Sequence, residues 1–128
     1  MKKYKLTDET KVASGTTLRR IKALRDFGIV KTGDLGGWIE SESNLSHEGN
    51  CWVFNEACVF GHAKISGEAK VSGEAKISGN TKVFGNTEVS GDTEVSGDAS
   101  FFDDARVSSY AQVSDNAKVS DNERRHSR

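Results

Sequence analysis

The sequence predicts an all-β fold, a three-sided parallel solenoid of about four coils of eighteen residues, on three observations. An aliphatic or aromatic residue recurs every six positions, from Val53, Val59, Ile65 and Val71 through to Phe101, Val107, Val113 and Val119. A small residue stands two places before each of them: Cys51, Ala57, Ala63 and Ala69 at the start, Thr81, Thr87 and Thr93 in the middle, Ala99 to Ala117 at the end. Glycine follows two places after, from Gly61 to Gly97, and most copies then carry Glu, Asn or Asp. A period of six fits neither a helix of 3.6 residues per turn nor an array of hairpins.

Each hexapeptide reads as one short strand and one bend. Positions two apart in a strand face the same side, so the small and the aliphatic residue both point inward. The glycine and its polar neighbour supply the φ > 0 that a tight corner needs. Three such units close a triangular coil, and the next coil stacks about 4.8 Å away through parallel ladder bonds. No hexapeptide buries enough to hold itself, so neighbouring coils must supply the contacts.

Residues eighteen apart then form vertical columns. Two outward columns are Trp52, Lys70, Glu88, Arg106 and Cys58, Lys76, Glu94, Gln112, where alternating sign favours stacking by about 0.2–1 kcal/mol per pair. A third sets Phe84 beneath Phe102, between Ser66 and Ser120. A corner column, Glu56, Glu74 and Asp92, stacks like charges with no cation in it. A second corner runs Glu68, Asn86, Asp104, Asn122, with Asp103 and Asp121 beside it.

Three segments follow: a cap and lead-in over 1–50, the repeat region over 51–122, and a basic tail over 123–128 that is expected to fray. Residues 18–27 (LRRIKALRDF) read as a helix or as a strand; a β-rich cap is favoured, because the first coil's ladder needs covering. Residues 30–40 are expected to be an irregular lead-in, with Gly33, Gly36 and Gly37 as bends and Trp38 and Ile39 packing on the coil end. Leu45 falls in phase with the small inward positions.

Composition narrows the function classes. A chain of 128 residues with formal net charge −1 has no overall pull toward nucleic acid or anionic membrane. The first fifty residues carry nine Lys/Arg against seven Asp/Glu, whereas residues 61–122 carry six against ten, so the solenoid body is mildly acidic. No apolar stretch is long enough to span a membrane and the first residues lack a signal-peptide core, so the cytoplasm is the expected compartment. Two cysteines make no disulfide framework.

The copies of Val-Ser-Gly-Glu-Ala-Lys resemble the hexapeptide repeat of left-handed parallel β-helix proteins, and that resemblance implies the left hand of the coil. LRRIKALRDFG, VKTGDLGGWIESESNLS and GNCWVF in turn resemble the opening of YdcK-like and related phage or prophage β-helix proteins. The resemblance implies fold far more than function, because such relatives carry transferase labels on the strength of their repeats.

Acyltransferases of the hexapeptide type place a catalytic histidine between subunits, beside a loop that embraces an acyl carrier or coenzyme A. The histidines here are His47, His62 and His126; His126 lies in the tail, and His47 and His62 read as polar surface side chains. No long loop interrupts 51–122 to close a pocket, so no catalytic residue and no cofactor is assigned. His47, Cys51, Cys58 and His62 have zinc-like spacing, but Cys51 should point inward and Cys58 outward, so no metal is assigned either. Direct nucleic-acid binding needs a basic stripe with interleaved aromatics, which the acids and serines of the outer positions do not supply.

The favoured function is a non-catalytic binding or assembly module of phage or prophage origin. Its sharpest form inhibits a nucleic-acid-binding host-defence protein through the acidic residues Glu56, Glu74, Asp92, Glu68, Asp103, Asp104 and Asp121. Phe84 and Phe102 are the candidate face for a protein partner or for a homo-oligomer, a dimer or trimer. A hexapeptide acyltransferase relative is the alternative.

Overall fold

The computed structural model describes residues 2–13, 15–102 and 106–107, together with the backbone of strands Gln112–Val113 and Lys118–Val119. The described residues are all-β apart from one 3-10 turn, Glu42–Asn44. Three longer strands open the chain: β1 (Tyr4–Ala13), β2 (Thr16–Ala23) and β3 (Leu35–Ile39). Twelve strands of two residues follow among the described residues, from Trp52–Val53 to Lys118–Val119.

These short strands stack into three parallel walls, giving a solenoid of about four turns. The first wall aligns Val53, Val71, Val89 and Val107; the second aligns Val59, Ile77, Val95 and Val113; the third aligns Ile65, Val83, Phe101 and Val119. Every step is eighteen residues, as the hexapeptide period requires. The inward valines and isoleucines from Val53 to Val107 and the small residues beside them are almost fully buried. Ladder bonds of 2.8–2.9 Å, such as Ser72 N–H to Val89 O and Lys76 N–H to Thr93 O, tie each lap to the next. The described corners of the repeat region take the left-handed conformation at glycine, and at Asn55, whose φ is 58° and whose Oδ1 accepts from Gly73 N–H at 3.2 Å.

Of residues 18–27, those up to Ala23 lie in strand β2, and none is helical. β2 buries both of its faces: Ile21 and Ala23 join the main core, while Leu18 joins Ala13, Trp38, Cys58 and Phe60 in a second cluster on the outside of the second wall. A helix would have presented only one apolar stripe. β1 and β2 form an antiparallel hairpin, β2 pairs antiparallel with β3, and β3 pairs in parallel with Cys58–Val59. The hairpin therefore extends the ladder of one wall and covers its outer face.

Three lead-in expectations need correcting. Trp38 and Ile39 do not pack on the coil end; they lie in the wall, in register with Cys58 and Val59 twenty residues on. Leu45 likewise bridges Ile65, so it occupies the aliphatic column and not the small one. Both shifts have one cause: this first, partial lap is two residues longer than the repeat. Gly36 and Gly37 are not bends but lie inside β3, where a Cβ on Gly37 would meet Ala57 O at 2.5 Å. Gly33, with φ 93°, does bend the chain.

Candidate functional site

Asn44 does what a third-wall strand would do on the first partial lap. Its Nδ2 donates to Ala63 O at 2.8 Å and Gly61 O at 3.2 Å, and its Oδ1 accepts from Ser41 and Glu40 N–H. Next to it His47 stacks on Tyr4, with centroids 4.1 Å apart. His47 Nδ1 accepts from Lys3 N–H at 3.1 Å, which leaves Nε2 to donate to Glu42 at 2.9 Å. The expectation of a plain surface side chain for His47 is thus corrected. Both ring nitrogens are committed to holding the lead-in, so neither is free to move a substrate proton. The hydrogen bond from His47, then that from Lys2, holds the Glu42 carboxyl below the usual carboxylate range.

Lys3 is fully buried, with Nζ 2.7 Å from Cys51 O and 3.4 Å from Cys51 Sγ, over the Phe27 ring. Burial pushes the Lys3 amine down and the Cys51 thiol up. Cys51 packs in the main core, as expected of an inward position. Cys58 occupies the outward column yet is 1% exposed, because Trp38, Leu18 and Phe60 cover it. Trp52, also at an outward register position, is roofed by Tyr4 and Phe27 at 6.1 and 5.2 Å. The sequence columns were read without the hairpin that closes over their first rungs. Among the described residues no group of three His, Cys, Asp or Glu side chains is placed to hold a metal.

The acidic corner keeps its register but not its isolation. Glu56 accepts from Arg20 at 2.9 Å and Trp38 Nε1 at 3.1 Å, with Lys11 at 3.8 Å. The indole hydrogen bond first, then the guanidinium, holds its carboxyl below the usual range. Glu74 and Asp92 remain exposed one and two laps further. In the other corner Glu68 accepts from Asn50 at 3.1 Å; Asp103, Asp104, Asp121 and His126 lie outside the described residues. The alternating columns are in register, Lys70 with Glu88 and Lys76 with Glu94. Among the described residues, however, neither pair closes to an ion pair.

The third wall carries the most distinctive surface. Phe84 is 40% exposed and stacks on Phe102 at 5.7 Å, with ring planes 15° apart. Beside this pair Lys64 stands in register with Lys82, both exposed, and among the described residues no acid pairs with either ammonium. Lys118 continues the column past Ser100 at its register position. The same eighteen-residue reading that found the acidic column would have found this one, had it been started at residue 64. At the adjoining corner His62, Asn80 and Asp98 stack, with Asn80 donating to Asp98 at 3.1 Å. His62, Lys64, Asn80, Lys82, Asp98 and Ser100 line a shallow groove of about 580 Å³.

This geometry can be set beside known proteins. No protein-family model matches the chain. The acetyltransferase YdcK of Escherichia coli (strain K12), itself called uncharacterized, is 42% identical over 64 residues, covering 44% of this chain and 20% of YdcK. The chain folds its hexapeptide repeats into a parallel β-solenoid, and it is similar to YdcK over that short stretch alone. It spans about a fifth of the curated relative it matches. Among the described residues no helix is long and apolar enough to cross a membrane.

Proposed function

We propose that this chain is a rigid binding and assembly module that works through its third wall, and that it is not a self-contained catalyst. The supporting observation is the stacked Phe84–Phe102 pair, an exposed ring on a half-buried one, on a wall whose other described outward positions are lysine and serine. An exposed aromatic rung beside ammonium groups that pair with no acid among the described residues favours a protein contact with acidic character. Replacing both phenylalanines with serine tests this: capture of binding partners and solution mass should both fall. Unchanged values in both assays would remove the wall from the reading.

The narrowest form of the proposal is the inhibition of a nucleic-acid-binding host-defence protein by a phage- or prophage-encoded chain. It rests on Glu74 and Asp92, because Glu56 is already engaged by the hairpin. Inhibition that survived charge reversal at Glu74 and Asp92 would sink it.

A second reading takes the chain as an acyltransferase relative. It is favoured by the name of YdcK and by the exposed His62 on the groove next to Lys64 and Lys82. In that reading the ammonium groups hold phosphate oxygens and His62 acts as the general base. Saturable binding of acetyl-coenzyme A that weakens in Lys82→Ala supports it; absence of binding at millimolar ligand rejects it.

A further inference from the structure

We propose that the lysine wall of one copy docks on the acidic edge of a second copy, so that copies of this chain line up side by side in an open row. The inference rests on the preceding reading of the third wall as a contact surface, and it names the occupant.

In a triangular coil each wall lies opposite a corner. The corner opposite the third wall joins the first and second walls, and it carries Glu74 and Asp92. Those two acids are one lap apart, as Lys64 and Lys82 are. The lap height is about 4.8 Å on both surfaces, so the two lysines and the two acids share one vertical spacing when two coils lie with their axes parallel. Lys70 and Lys76 flank Glu74, but Glu88 and Glu94 flank Asp92, which makes the edge most negative one lap further along. One lap earlier Glu56 is neutralised by Arg20, where the hairpin would in any case obstruct a neighbour. The exposed acids therefore begin where the hairpin ends, and the Phe84–Phe102 pair supplies apolar area beside the lysine column.

Wall and edge point in opposite directions. A contact between unlike surfaces closes into a ring only if the rotation between copies closes, and opposed directions give a translation instead. The product is a row of no fixed stoichiometry. Pairing through the free edge of β1 is disfavoured by comparison, since that strand carries Lys5, Asp8, Glu9 and Lys11 and is interrupted between Leu6 and Thr10.

Two charge-reversed proteins test the proposal by sedimentation. The wall variant is Lys64→Glu with Lys82→Glu; the edge variant is Glu74→Lys with Asp92→Lys. All four side chains are exposed in the described structure, so both variants should fold. The natural chain should show an average mass that climbs with concentration at low salt and returns to 13.9 kDa at about 1 M salt, where the Debye length is about 3 Å. Each variant alone should associate at least about tenfold more weakly, and an equimolar mixture should recover association, because each then offers the surface its neighbour needs. A natural chain that stays monomeric, a mixture that stays monomeric, or an edge variant that assembles like the natural chain overturns the inference. The last result leaves the third wall standing as a contact surface, whereas assembly and partner capture that ignore Phe84→Ser/Phe102→Ser remove that reading too.

Discussion

Arg20 donates to Glu56 across 2.9 Å, and this pair fastens the amino-terminal hairpin to the first corner of the solenoid. The Arg20 guanidinium lies 4.6 Å over the Trp38 ring, whose Nε1–H reaches the other oxygen of the same carboxylate. Cation, ring and acid thus come from β2, β3 and the repeat region, three segments that no local sequence pattern connects.

Because hydrogen bonding and the guanidinium lower the Glu56 carboxyl in the folded state, its contribution is present above the unfolded value of about 4.3. That contribution is lost as pH falls through the lower, folded value. Glu56→Gln should cost about 0.2–1 kcal/mol at pH 7, a figure kept small because the side chain is 53% exposed. The substitution should also flatten the acid limb of stability below about pH 4. Urea unfolding at pH 7 and pH 3 measures both; identical limbs for the two proteins would show that the pair does not couple hairpin to coil.

Gly79 and Gly15 share nearly the same backbone, with φ of 75° and 76°, but not the same surroundings. An alanine Cβ at Gly79 would lie 2.6 Å from Gly97 O, whereas at Gly15 it meets nothing within 4 Å. Both substitutions carry the left-handed penalty of about 1–2 kcal/mol. Gly79→Ala alone must also push two laps apart, at a further cost of about 1–3 kcal/mol. Equal losses in denaturant unfolding would mean that the laps have slack at their corners.

Thr87 closes its corner with its side chain, Oγ1 donating to Phe84 O at 2.7 Å. Alanine corners are closed by the backbone, as where Ala69 N–H meets Ser66 O at 3.3 Å. Thr87→Ala should therefore revert to the alanine corner and cost under about 1 kcal/mol. Thr87→Val should cost more, about 1–3 kcal/mol, because its methyl keeps the space while leaving the carbonyl without its donor. The reverse order, valine milder than alanine, would assign Thr87 to β-propensity and not to the hydrogen bond.

Cys51 and Cys58 are both buried, and burial raises both thiols. Neither should react with an aromatic disulfide reagent at pH 8 until denaturant is added. Cys58 is the informative one: its column places it outward, so rapid labelling would mean that the hairpin does not cover the second wall. Truncation of residues 2–24 should expose it and restore labelling within minutes.

The register of Val53, Val71, Val89 and Val107 could be read directly from the sequence, because a repeat that buries only two side chains must stack and its period dictates the lap. The aromatic pair followed from the same arithmetic, and so would the lysine column beside it. The ties at Glu56, Asn44 and His47 could not be read in this way. Each includes a distant partner, 36 positions away for Glu56 and Arg20, 17 for Asn44 and Gly61 and 44 for His47 and Lys3, reached through side chains whose types are common on any surface. The extra two residues of the first lap hid the places of Trp38 and Leu45, since the eighteen-residue rule does not hold there.

Local chemistry determined the inside of this molecule: small and branched residues at fixed intervals, with glycine at seven successive corners from Gly61 to Gly97, set the period at which the backbone winds and the residues that line its core. Tertiary structure decided which outward residues are bare. The hairpin folds back over the earliest rungs, burying Trp52 and Cys58 and neutralising Glu56, while Phe84, Lys64, Lys82, Glu74 and Asp92 stay in water. Periodicity specifies where a side chain points; only the packed chain specifies what, if anything, lies on top of it.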